Sequence, residues 1–157
     1  MTDTYTVHPV WLLSHSGAMF ALDRVEAEFQ SDNGSDAGAL RATCEAIWWI
    51  CNLDEVLNNG EHSSDYSNFR ERQNIESLIA GIRWARNRIT HQPAHWKIAE
   101  PPFLWADAAS IPMSNNPKHN HGVEQYKTNC EGKPVIQTLR IPLNPILEFC
   151  SKFHWSE

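Results

Sequence analysis

The chain has 157 residues, 41% of them hydrophobic and 20% charged, with a formal net charge of −6. That length suits one domain burying roughly 70% of the surface an unfolded chain exposes, so a core forms without staples and the balance is that of a globular rather than a disordered protein. The acidic excess removes the global attraction behind non-specific nucleic-acid coating and leaves room only for a local basic patch.

Four cysteines occur, Cys44, Cys51, Cys130 and Cys150. Cys44 and Cys51 share a helix face two turns apart, about 10 Å, which is beyond disulfide reach. There is no CxxC pair, the stretch Met1 to Val7 is polar with an early Asp3, and no apolar run nears the ~20 residues of a membrane span. The expectation is a cytoplasmic protein with reduced thiols and no membrane partner.

The first predicted helix covers about 8–30. Trp11, Ala18, Leu22, Val25 and Phe29 make one apolar stripe, and Pro9 suits the first turn, where its missing N–H costs nothing. Ser31 to Asp36 is a loop by composition. The second helix covers about 37–57, with Leu40, Cys44, Ile47 and Cys51 buried and Trp48 and Ile50 widening the stripe. Asn58-Asn59-Gly60 ends it, followed by a polar loop over 61–65.

The third helix covers about 67–92 and stops before Pro93. Ile75, Leu78, Ile79, Ile82, Ala85 and Ile89 form its inward face, and Arg86 falls inside that apolar arc. A charge there needs a partner, because an unpaired buried charge is very costly. Asp54, three residues after Cys51, is a candidate. Trp84 and Arg88, four apart, take the outer face. After this helix, five prolines from Pro93 to Pro117 describe an irregular excursion. A short helix over 121–130 and helical pieces after Pro134 follow, the alternative being a hairpin that pairs 123–127 with 135–139. The fold class is therefore all-α: a single helical domain over 1–157, built as a bundle of three long helices with an irregular segment and a C-terminal helical region.

Arg70, Arg72, Arg83, Arg86 and Arg88 hold five of the chain's thirteen Lys and Arg. Within them, Arg86-Asn87-Arg88-Ile89-Thr90-His91 places Arg, Asn and then His at the end of a helix. This segment resembles the Arg-x4–6-His signature of the HEPN superfamily of helical ribonucleases and RNA-binding proteins. Gly81 to Arg88, with Gly132-Lys133-Pro134-Val135, also looks like helical proteins of bacterial and phage origin. The HEPN resemblance covers the third helix firmly and the first two in outline. It implies a homodimer whose two motifs form one site that cuts RNA without a metal, with Arg86, Asn87 and His91 catalytic and Arg83 and Arg88 binding RNA.

The chemistry suits those residue types. Breaking RNA by its own 2′-hydroxyl needs a base for the hydroxyl proton and a cation for the phosphate. Imidazole titrates near 6.5 and accepts that proton at neutral pH, while guanidinium grips two phosphate oxygens. Asn87 lies four residues before His91, on the same face. Arg86 and His91 lie about 140° apart on an ideal helix, which favours a site shared between two copies. The bare spacing is common in a chain with eight histidines, and Arg88 with His95 satisfies it too. The blander account pairs Arg86 with a carboxylate and leaves His91 at a helix C-terminus.

His119-Asn120-His121 could ligate a metal with Cys130 or His95, but no CxxC or HExxH supports them, and no metal or cofactor is expected. A reading from another class is a non-catalytic helical module acting through a protein partner, favoured by the acidic charge and the exposed aromatic residues. Facing third helices in an obligate dimer would favour the nuclease; a monomer with Arg86 tied to Asp54 would favour the module.

Overall fold

The apolar spacing of the first sixty residues becomes two antiparallel helices, α1 (Val10–Gln30) and α2 (Asp36–Asn59). Trp49 lies over Gly17, Asn52 donates to the Ser14 hydroxyl at 2.8 Å, and Arg24 pairs with Glu45. The computed structural model describes residues 9–31, 36–91, 104–106 and 115–153, without the side chains of 36 and 89–91. Most of the excursion expected after Pro93 lies outside the described residues.

The third helix is two. α3 (Ser63–Arg72) and α4 (Glu76–His91) are separated by Asn74, whose φ is +55°. The Asn74 N–H donates to Glu71 O at 3.0 Å and the Ile75 N–H to Arg70 O at 3.1 Å, the paired closing bonds of a Schellman cap. Asparagine tolerates the left-handed conformation this needs. The break lets Ile75 turn inward and restart a helix, its carbonyl accepting from the Ile79 N–H. The segment expected to be loop just before α3 is helical from Ser63 onward.

α5 (Pro117–Asn129) begins four residues earlier than the spacing suggested, with Asn116 accepting from the Lys118 N–H at 3.0 Å and Pro117 in the first turn. α6 (Val135–Arg140) and α7 (Leu143–Cys150) follow. Both arms of the alternative hairpin are thus helical. The β pairing among the described residues is a single bridge, Leu104 with Pro134. It is flanked by bonds from Trp105 N–H to Lys133 O and from Gly132 N–H to Trp105 O, both 3.0 Å.

The all-α class is therefore correct, with seven helices among the described residues around one apolar cluster. Leu22, Ile47, Ile50, Leu53, Ile79, Ile82 and Leu139 are fully buried in it. Trp48 departs from the predicted stripe and is half exposed, and Trp84, expected to face outward, is buried under α5. Burial pushes the thiols of Cys51, Cys130 and Cys150 up to about 12, so they are packing residues rather than nucleophiles. No helix among the described residues is long and apolar enough to cross a membrane.

Inside this core sits one carboxylate, Asp54 on α2, with no exposed surface. Its Oδ1 accepts from the Tyr66 hydroxyl and Arg70 Nη1, each at 3.0 Å, and its Oδ2 from Asn58 Nδ2 at 3.1 Å and from Arg83. Three helices thus meet at one side chain. Asp54→Asn removes the buried charge that pairs with both guanidinium groups, leaving Glu76 beside Arg70, and should cost about 3–5 kcal/mol, the scale for breaking a buried pair. Urea unfolding of the two proteins reads this directly, and a loss below about 1 kcal/mol would contradict it.

A second buried polar group tunes stability with pH. His15 on α1 donates from Nε2 to the Leu143 carbonyl at 3.2 Å. Burial lowers its pKa, and the bond to Leu143 opposes that in part. The unfolded chain therefore binds a proton near pH 6.5 while the folded one stays neutral to lower pH. This group's contribution is complete above about pH 6.5 and declines as the pH falls from there towards the lower folded value. The slope of Tm between pH 7 and 5.5 should flatten in His15→Gln, and an unchanged slope would assign it elsewhere.

Candidate functional site

The basic patch is split between α3, which carries Arg70 and Arg72, and α4, whose Arg83, Arg86 and Arg88 part company according to where helical register points them. Arg83 bends back to Asp54. Arg86, on the side of α4 facing α2, donates through Nη1 to Glu55 Oε1 at 2.9 Å. Its carboxylate partner is the neighbour of Asp54, not Asp54 itself. Asn87 is exposed, with Oδ1 3.5 Å from Arg86 Nε. Arg88 lies over the Trp84 ring, its Cζ 5.9 Å from the centroid. His91 is the last residue of α4, and its side chain falls outside the described residues.

Packing of α5 on α4 turns one face of this helix into a cleft. The two helices run antiparallel and cross closely at glycine. A Cβ at Gly81 would lie 3.0 Å from Gln125 O, and one at Gly122 would lie 2.8 Å from Trp84 Cδ1. Trp84 fills the crossing, with its ring 4.7 Å from that of Tyr126. Beyond it the helices leave a cleft of about 550 Å³. Arg83, Asn87 and Arg88 line one wall and Asn116, Lys118, His119 and His121 the other.

Among the described residues no carboxylate lines this cleft, and none lies within ion-pair distance of Arg88 or Lys118. A cleft of about 380 Å³ at α1 and α2 contrasts with it. There Arg24 and Arg41 are matched by Glu28 and Glu45. At the Asp54 end, Asp54 serves Arg70 and Arg83 while Glu76 lies 3.7 Å from Arg70, so two carboxylates balance the two guanidinium groups. An adjoining hollow of about 370 Å³ shares Arg83 and His121 and is lined also by Arg70 and its partner Glu76. In an acidic chain, Arg88 and Lys118 in the larger cleft are the cations that no carboxylate among the described residues compensates, and there an anion is favoured.

Of the sequence candidates, Arg83, Asn87 and Arg88 share the cleft, while Arg86 stands apart beside Glu55. Lys118, His119 and His121 were not grouped with them. The signal existed, since Asn116-Pro117 is an N-cap followed by a first-turn proline, and it sets the α5 face from Lys118 onward. Among the described residues no group of three or more His, Cys, Asp or Glu is arranged to hold a metal ion.

The glycine crossing is testable. Alanine at Gly122 gains roughly 1 kcal/mol of helix propensity but meets the indole at a distance that real Cβ atoms do not show. Overpacking of about 1–3 kcal/mol should win, so Gly122→Ala unfolds at lower urea. A variant as stable as the parent would mean that Trp84 swings aside without cost.

No protein-family model, no curated protein and no solved structure matches this chain.

Proposed function

We propose that the protein binds single-stranded RNA along α4 and cleaves it without a metal, as the resemblance to the HEPN superfamily implies. The observation that carries this reading is the cleft where Arg83, Asn87, Arg88 and Lys118 converge with no carboxylate among the described residues that line it. Guanidinium and ammonium groups there suit phosphate oxygens, and an exposed amide at Asn87 suits a sugar or base edge. His91, four residues past Asn87 at the end of the same helix, is the base for the 2′-hydroxyl proton. Arg86 and His91 lie about 140° apart on an ideal helix. In this reading they act across a two-fold axis between two copies, with Arg86 leaving Glu55 for the phosphate.

Cleavage of a mixed fluorescent RNA pool in EDTA tests the reading. The wild type should cut, and His91→Ala and Arg86→Ala should each lose roughly 100-fold or more, the scale of one general base or one phosphate clamp. Arg88→Ala and Lys118→Ala should each lower the slope of log affinity against log salt by about 0.7, as for one phosphate contact on a single strand. A folded wild type that neither binds nor cuts RNA sinks the proposal.

A second reading rests on a different observation. Leu13 and Phe20 share a face of α1, and with Trp48 on the adjoining α2 they are all more than half exposed. Trp48 meets Trp49 edge to face at 4.8 Å, and Trp49 covers Gly17 between Leu13 and Phe20. An apolar surface of this kind, together with the Glu55 partner of Arg86, favours a non-catalytic module that docks a protein. Light scattering of the purified chain separates the two: the nuclease reading requires a dimer.

A further inference from the structure

Metal-free cleavage of RNA moves two protons, and α4 supplies a candidate for only one of these transfers. The 2′-hydroxyl loses a proton as O2′ bonds to phosphorus, and the departing 5′-oxygen must gain one as the P–O5′ bond breaks. The products are a 2′,3′-cyclic phosphate and a 5′-hydroxyl. Without an acid, the second half expels an alkoxide, a poor leaving group.

We propose that His119 is the acid that protonates the 5′-oxygen; this rests on the cleavage reading above. Three observations place it there. His119 is half-buried on α5 and lines the cleft across from Asn87 and Arg88. Its ring stands edge-on to the Trp84 indole, with centroids 6.4 Å apart, while the Arg88 guanidinium lies 5.9 Å from the same ring. One buried indole thus positions a proton carrier and a phosphate clamp together, on rigid helices rather than on a loop. Finally, Lys118 precedes it and Arg83 stands on the opposite wall, so a phosphate held by these cations has imidazole beside it.

The charged and titratable groups facing His119 are Arg83 and Arg88 from α4 and Lys118 and His121 from α5. His121 differs from His119 in being exposed, and it also borders the adjoining hollow beside Arg70 and Glu76. The half-buried neighbour against Trp84 is the better-held proton carrier of the two.

The leaving group itself is the probe. RNA cleavage by full-length wild type and His119→Gln is compared with cleavage of uridine 3′-(4-nitrophenyl phosphate), whose nitrophenolate departs without a proton. A general acid contributes about 100-fold or more. His119→Gln should therefore slow RNA cleavage by at least that factor and the nitrophenyl ester by less than about 3-fold. The wild type alone gives a second readout, free of any folding defect. Its pH–rate profile should fall on the alkaline side with RNA and show no such fall with the nitrophenyl ester.

Equal slowing of both substrates, or of neither, overturns the assignment, as does an alkaline limb present with both. If the wild type cuts and only these comparisons fail, the inference falls and the cleavage reading stands. A wild type inert on both substrates overturns the two together.

Discussion

The Asp54 carboxylate is the constraint around which the helices are arranged. It comes from α2, accepts from Tyr66 and Arg70 on α3, and accepts from Arg83 on α4. A carboxylate withdrawn from water is costly unless its lone pairs are filled and its charge is balanced. Four donors and two cations meet both conditions, and all must arrive together. The Tyr66 hydroxyl is committed to this cluster, since burial first and the adjacent carboxylate second push its pKa upward. Such a cluster tolerates few alternative arrangements. It therefore holds the register of α4 against α2, and with it the direction in which every arginine of α4 points.

That register divides the basic patch by purpose. Turned to α2, Arg86 meets Glu55; turned to the core end, Arg83 meets Asp54. The ridge that carries Ala80, Trp84, Asn87 and Arg88 then faces α5. Gly81 and Gly122 bring the helix backbones together at the crossing, and the bulk of Trp84 opens them just beyond it. A close crossing followed by a large side chain makes a wedge-shaped opening, and the residues lining its mouth are polar or basic. The net acidity of the chain is carried elsewhere, as at Asp23 and Glu26 with Arg140, while Glu28 and Glu45 balance Arg24 and Arg41. A protein with a net charge of −6 thereby keeps one locally cationic cleft.

Much of the helical architecture is legible in the chain as written. Leu22, Val25, Ile47, Cys51, Ile79 and Ile82 recur at helical spacing and are the residues the core buries. The break at Asn74 was not legible, because asparagine within an amphipathic run reads as one more polar position until its cap bonds are seen. Trp84 was misread for a related reason. Periodicity tells which face of a helix is apolar, but a second helix packing on the polar side reclassifies that side. The start of α5 was available in Asn116-Pro117 and was obscured by the prolines and asparagines before it.

By itself, then, the sequence determined the all-α class, the inward faces of α1, α2 and α4, and the concentration of arginine between Arg70 and Arg88. These are properties of short spacings, which a helix converts directly into faces. Tertiary structure alone decided that Asp54 would bind Arg70 and Arg83 while Glu55 took Arg86. It alone brought Lys118 and His119 opposite Arg88, some thirty residues away along the chain. Pairings of that kind depend on how helices cross, and the crossing is set by close backbone approach and the demands of a buried charge, neither of which is written in any local spacing.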